Sequence, residues 1–430
     1  MRRWRTDHCF PSRCAIVALA LLGAVTTLPP PVRAEALRAI TSGVAQEKLK
    51  RVGDYFRNEV ATGKIPGAVV LIQQHGKPVF FESFGLRDVA TKAPMTEDTI
   101  FRLYSMSKPV TSVAAMMLVD DGKLALDDPL AKYIPAFGDV KVAVETRGED
   151  GKPALTTEPL KRPITIEDLL RHSSGITYGF YGDDAVRRLY DKSDLFAGDV
   201  DNAQFVERLA KLPLAEQPGT RWDYGHSTDV LGRVIEVVSG RSLFAFENER
   251  LLDPLGMRDT AFHLIDNAQR GRVAEPLAAD RFTRPVAGLT DPILPRRWES
   301  GGTGMIGTIG DYARFAQMLL NGGVLDGKRY LKPETVAQMT SDHIGAGTNI
   351  ARDSLYFPGS DSGFGLGFAV RTRAEPPLSP GEYRWDGVGG TFFFISPRDD
   401  MFAIVMMQAP SQRGRIQMDV KKLIYEALER

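Results

Sequence analysis

Ser105 and Lys108 stand three residues apart in Ser105-Met106-Ser107-Lys108. On a helix that spacing puts both side chains on one face. A hydroxyl beside an amine is a nucleophile beside its base, provided that burial and neighbouring positive charge lower the lysine from its usual pKa of about 10.4. The segment opens a helical pattern in Val110, Val113, Ala114, Met117 and Leu118. Pro109 falls in its first turn, where a missing N–H costs little. At such a helix start the serine N–H points outward, where it can stabilise an anion.

Two further segments offer matching chemistry. Tyr224-Gly225-His226 precedes a second helical stripe of Val230, Leu231, Val234, Ile235 and Val238, which Ser227 or Thr228 can cap and Gly240 can end. A tyrosine there can shuttle a proton if nearby ammonium groups acidify its phenol. His226 is a candidate polar contact to a substrate. Trp385-Asp386-Gly387-Val388-Gly389-Gly390 leads into a strand-like run, Thr391–Ser396. Glycines at a strand edge let a substrate approach the backbone, and a free N–H there can be an oxyanion donor.

The elements that must position these segments come from both ends of the chain. Ala68–Gln73 and Pro78–Phe84 read as a hairpin turning at His75-Gly76. Thr391–Ser396 and Met401–Gln408 read as a second strand pair, followed by a helix over about Arg413–Leu428. The spacing of Leu37, Ile40, Val44, Leu49, Val52, Phe56 and Val60 predicts helix within 35–62. The expected fold class is therefore α+β. Residues 35–98 and 355–430 build an antiparallel sheet flanked by terminal helices, and 99–354 form a mostly helical domain between them. Residues 145–162 are polar and punctuated by Gly and Pro, which predicts a surface excursion.

Residues 1–34 read as a signal peptide. Arg2, Arg3, Arg5 and Arg13 lead up to an apolar run from Cys14 to Leu28, and Val32-Arg33-Ala34 supplies a cleavage site. The run is shorter than the roughly 20 residues that span a bilayer. The expectation is a periplasmic or secreted protein with no stable membrane anchor after cleavage. The 430-residue chain carries 54 basic and 54 acidic residues, but five Arg and one Asp leave with the leader. The mature chain then has 49 basic against 53 acidic side chains and has lost both cysteines, Cys9 and Cys14. Thiol catalysis, disulfides and Cys-type zinc sites are excluded from it. No basic patch interleaves with aromatics, which disfavours a nucleic-acid partner. Gly302-Thr303-Gly304-Met305-Ile306-Gly307 matches a dinucleotide fingerprint but lacks the strand before it, and no G-x-S-x-G occurs. No cofactor or metal is expected.

In this order and spacing, S-x-x-K, the tyrosine segment and the W-x-G segment resemble the serine β-lactamase and penicillin-binding-protein superfamily. The chain is most similar to its class C β-lactamase branch and to the family VIII carboxylesterases. Ile164-Thr165-Ile166-Glu167-Asp168-Leu169-Leu170-Arg171-His172-Ser173-Ser174-Gly175 also resembles a family segment. The resemblance implies a β-lactamase/DD-peptidase-like fold and an acyl-enzyme on Ser105, with Lys108 and Tyr224 handling the proton. It implies the N–H groups of Ser105 and Val388 as the oxyanion hole, with Trp385, Gly387 and His226 near the substrate. Where relatives carry K-T-G, this chain has Trp385-Asp386-Gly387, which deprives a substrate carboxylate of its cation. The expected substrate is an uncharged small or medium acyl ester. The alternatives are a β-lactamase or D-alanyl-D-alanine carboxypeptidase-type amidase, an acyltransferase, and a non-catalytic ligand-binding module.

Overall fold

A computed structural model describes residues 43–147, 153–180, 182–280, 294–353 and 356–429. The expected signal peptide, with both cysteines, lies outside the described residues, as does the 35–42 part of the predicted first helix. Five helices position the site: α1 (Gln46–Ala61), α2 (Ser107–Asp120), α3 (Ser227–Ser239), α4 (Ile309–Leu320) and α5 (Arg413–Ala427).

The fold is α+β, built on an eight-stranded sheet. Strands β1 (Gly67–Gln74), β2 (Lys77–Asp88) and β3 (Ala93–Pro94) come from the N-terminal part. Strands β4 (Ser362–Phe364), β5 (Ala369–Arg371), β6 (Tyr383–Asp386), β7 (Phe392–Ser396) and β8 (Met401–Met407) come from the C-terminal part. Their order is β4-β5-β6-β7-β8-β1-β2-β3, with antiparallel neighbours throughout. The β1–β2 turn closes because His75 and Gly76 both take positive φ, 51° and 69°. Two such residues give a turn whose twist matches the strands it joins.

The sheet separates two apolar layers, so its central strands are apolar on both faces. Val70, Ile72, Ala403 and Val405 pack with Val52 and Phe56 of α1 and with Ile416, Val420 and Ile424 of α5. Val69, Leu71, Phe402, Ile404 and Met406 face the other way, into a core shared with α2, α3 and α4. Each fully buried side chain of this kind contributes about 1.5–3 kcal/mol. The buried middle of the molecule is thus where α2 and the strand ends meet.

One local expectation, the surface excursion, takes a definite form, and another is corrected. Within 145–162, strand Lys141–Arg147 pairs with Pro153–Pro159, so much of the polar stretch is a hairpin. Its inner edge is anchored where the Ala143 N–H donates to the Leu214 carbonyl, 2.9 Å away. At the start of α3 the cap position falls to His226, without a side-chain cap. The Ser227 hydroxyl instead meets that of Ser174 at 2.8 Å. Gly240 ends α3 with φ 69°, as a C-terminal glycine should.

Candidate active site

The turn that carries Ser105 is held from three sides. Tyr104–Met106 form a 3-10 turn leading into α2. Ser107 Oγ donates to the Tyr104 carbonyl at 2.7 Å and accepts from the Met305 N–H at 3.0 Å. The Tyr312 hydroxyl donates to the Met106 carbonyl at 3.0 Å. Tyr104 itself sits at φ 48°. A left-handed non-glycine residue costs of order 1–3 kcal/mol and persists only where the surroundings enforce it. Here it turns the chain so that Ser105 sits at the head of α2.

Lys108 follows one turn later. It is 2% exposed, and its Nζ lies 3.4 Å from Ser105 Oγ, 3.0 Å from the Tyr178 hydroxyl and 2.8 Å from the Gly302 carbonyl. Burial pushes its pKa down to about 7, against the opposing pull of the Asp229 and Asp386 carboxylates. The expected positive neighbours are therefore not the cause; desolvation is. A neutral amine has two N–H donors and one lone pair. Donation to Gly302 and Tyr178 leaves the lone pair for the Ser105 proton.

Tyr224 is buried beside this pair, with Lys108 Nζ 4.6 Å from its ring centroid. Its ring stacks on Tyr356 at 4.7 Å and 8°. The expectation of an acidified phenol is overturned. Burial and then Tyr356 drive its pKa well above 10, outweighing hydrogen bonds with Ser105 and the Trp385 indole. The shift favours the neutral phenol over the phenolate in the resting site.

The W-x-G segment reaches the nucleophile through its glycines. A Cβ on Gly387 would stand 2.2 Å from the Leu103 carbonyl oxygen, and one on Gly389 would stand 2.5 Å from the Tyr104 ring. Only glycine lets the end of β6 abut the turn that carries Ser105. The Gly387 N–H is spent on the Thr391 carbonyl at 2.7 Å, so its role is steric, not as an anion donor. No hydrogen bond among the described residues takes up the N–H of Val388. Trp385 is buried, 5.4 Å from the Tyr224 ring and 5.3 Å from Phe364, so it positions Tyr224 rather than facing open space.

Two sequence expectations about charge also change. His226 is buried and pairs its Nδ1 with Asp229 Oδ2 at 2.8 Å, beneath Tyr178. It holds a neighbour in place instead of meeting a ligand. Asp386 is not an unopposed negative charge, because Arg413 of α5 lies 3.4 Å away and also donates to the Tyr356 hydroxyl. The sequence reading missed Tyr178, Tyr356, Arg413 and the Gly302 carbonyl. His172 is packed against Trp222, Tyr224 and Phe364, and burial followed by Lys108 holds it neutral.

Comparison with known proteins places this geometry. The family model described as Beta-lactamase matches residues 52–424. Protein Rv1367c of Mycobacterium tuberculosis is 36% identical over 365 residues, covering 82% of this chain and 88% of that protein. Esterase EstB of Burkholderia gladioli is 32% identical over 375 residues, covering 80% and 86%. The solved structure of EstCE1, a hydrolase with promiscuous acyltransferase activity, superimposes with a TM-score of 0.73 at 28% identity, covering 88% of this chain and 99% of that one.

Proposed function

We propose, from the premise that this chain belongs to the Beta-lactamase family, that it is a serine hydrolase cleaving uncharged esters through an acyl-enzyme. The observation that carries the reading is the 3.4 Å approach of a desolvated Lys108 Nζ to Ser105 Oγ. Relatives named as esterases, EstB among them, support the ester over the β-lactam.

The steps follow from the groups in place. Ser105 Oγ attacks the ester carbonyl carbon as its proton passes to neutral Lys108. The carbonyl oxygen gains the negative charge, which the N–H groups of Ser105 and Val388 stabilise. The carbonyl re-forms, the C–O bond to the alcohol breaks, and the alcohol oxygen receives the proton from Lys108 through the Tyr224 hydroxyl. Water then attacks the acyl carbon, giving up a proton by the reverse route to Lys108; the bond to Ser105 Oγ breaks, Lys108 returns the proton to that oxygen, and the carboxylic acid departs. An alcohol in place of that water makes the same site an acyltransferase, a second reading favoured by the likeness to EstCE1. Residues 1–34, with their basic start and apolar run, support export to the periplasm or beyond.

The test is a panel of p-nitrophenyl esters of rising chain length alongside nitrocefin. Ester turnover that vanishes in Ser105→Ala is expected. Nitrocefin hydrolysis without ester turnover overturns the ester assignment, and failure of a fluorophosphonate to label Ser105 overturns the serine hydrolase.

A further inference from the structure

The Gly302 carbonyl that receives a hydrogen bond from Lys108 is itself held by a buried pair. Asp229 Oδ1 accepts from the Gly302 N–H at 3.1 Å and from the Ser300 hydroxyl at 2.5 Å. Its Oδ2 accepts from His226 Nδ1 at 2.8 Å. From the opposite side Thr111 Oγ1, one turn beyond Lys108 on α2, donates to the Gly301 carbonyl at 2.9 Å. The turn is tight at both glycines. A Cβ on Gly301 would meet the Thr228 carbonyl at 3.0 Å, and one on Gly302 would meet Asp229 at 3.0 Å.

We infer that the buried His226–Asp229 pair of α3 is a positioning and charge-setting device for Lys108, acting through the Ser300–Gly302 turn. The inference rests on the reading of Lys108 as the proton acceptor from Ser105. His226 fixes one carboxylate oxygen, so the other is aimed at the turn, and the turn presents its carbonyl to Nζ. Rings enclose the imidazole, with Tyr178 at 4.4 Å, Phe205 at 5.2 Å and Phe196 at 5.8 Å. A polar side chain walled in by aromatics is retained for its hydrogen bond, because burying it without one is costly.

The pair also sets a charge. Asp229 is fully buried, and burial alone would raise its carboxyl. The His226 contacts, then Lys108 and Ser300, outweigh that and keep it below the usual carboxylate range. It is therefore a fixed negative charge near Lys108. The other groups facing Lys108 are Asp386, neutralised by Arg413, the Tyr178 hydroxyl, the Tyr224 ring and the neutral His172. Asp229 thus favours protonated Lys108 and opposes the desolvation that favours the neutral amine. The balance leaves the lysine able both to take a proton and to return it.

Asp229→Asn keeps an oxygen for Ser300 and Gly302 but removes the charge. The acid limb of kcat/KM for p-nitrophenyl butyrate is expected to move to lower pH by about half a unit or more, with Tm little changed. His226→Ala is expected to lower kcat about tenfold with KM nearly unchanged, and His226→Asn, which returns a donor at the Nδ1 position, to restore most of it. A purely structural pair moves Tm without moving the limb, so an Asp229→Asn profile superimposing on the wild type overturns the inference. Equal losses in His226→Ala and His226→Asn overturn it too, and decide the matter should Asp229→Asn fail to fold. The pH dependence of fluorophosphonate labelling of Ser105 is read in parallel. If the wild type labels but hydrolyses no ester, the ester reading fails, while a shifted labelling limb in Asp229→Asn still supports the positioning role.

Discussion

The guanidinium of Arg413 lies 3.4 Å from the carboxylate of Asp386, at the junction of α5 and β6. From sequence, Trp385 stands where relatives carry a cation, and Asp386 beside it reads as a bare negative charge. In the fold the two charges neutralise one another beside Tyr356. Discrimination against anionic substrates therefore depends on a pair rather than on one residue. Asp386→Asn leaves Arg413 uncompensated. The ratio of kcat/KM for a p-nitrophenyl ester with a terminal carboxylate over its neutral counterpart is expected to rise several-fold. The ratio cancels any effect on Lys108 itself, and an unchanged ratio counts against Asp386 as the selectivity element.

Lys108 predicts the pH profile. Its pKa is lowered to about 7 by burial, and only the neutral amine accepts the Ser105 proton. Ester turnover should therefore climb as pH rises through about 7 and level off above it. The check is kcat/KM from pH 5 to 9. A profile flat through this window, or one falling above pH 7, contradicts the assignment.

Tyr224→Phe removes the hydroxyl and keeps the ring that stacks on Tyr356. Loss of a positioned proton shuttle costs typically 10²–10⁴-fold, so kcat should fall by about that factor. The ring contacts survive, so Tm should change little. A loss below about threefold would show that the alcohol takes its proton directly from Lys108 or from water.

What could be read from the sequence divides along a physical line. Ser105 and Lys108 were legible because helical spacing alone brings an i, i+3 pair together. The centre of the sheet was legible because β1 and β8 lie between two apolar layers and are apolar along most of their length, so their runs stand out. Gly302 was not legible as a Lys108 partner, since its contribution is a backbone carbonyl that any residue type carries. Its run of glycines reads only as a loop without a dinucleotide context, and in the fold Thr111 of α2 and Asp229 of α3 clamp it. Arg413 and Tyr356 come from segments far from Asp386 and Tyr224 in sequence, or from a different element, and only the packing of α5 beside β6 joins them. The direction of the Tyr224 shift was also out of reach, because it turns on how completely the phenol is buried.

Gly387 tests the steric role of the third segment. Gly387→Ala places a methyl 2.2 Å from the Leu103 carbonyl oxygen and 2.5 Å from Thr391 Oγ1. Backbone must yield, and overpacking of this kind costs typically about 1–3 kcal/mol. The shift also draws the Val388 N–H away from Ser105. Tm should fall, and kcat should fall by more than the loss of folded protein explains. Full activity at a lowered Tm would remove Val388 from the oxyanion hole.

Lys108 has a stability signature separate from its chemistry. Its folded pKa of about 7 lies below the value of 10.5 for an unperturbed lysine. Between those values the unfolded chain binds the extra proton, so stability rises with pH across that window. Below about pH 7 both states are protonated and the whole penalty of burying the charge is felt; above about 10.5 both are neutral and it vanishes. Lys108→Met removes the penalty along with three hydrogen bonds to Ser105, Tyr178 and Gly302. The hydrogen-bond loss is nearly independent of pH, whereas the relieved charge penalty is not. The Tm of Lys108→Met minus that of the wild type should therefore be more positive at pH 6 than at pH 9, while ester turnover is lost at both. Thermal melts at the two pH values decide it, and a difference that is equal or reversed would mean that Lys108 keeps an ordinary pKa in the folded protein.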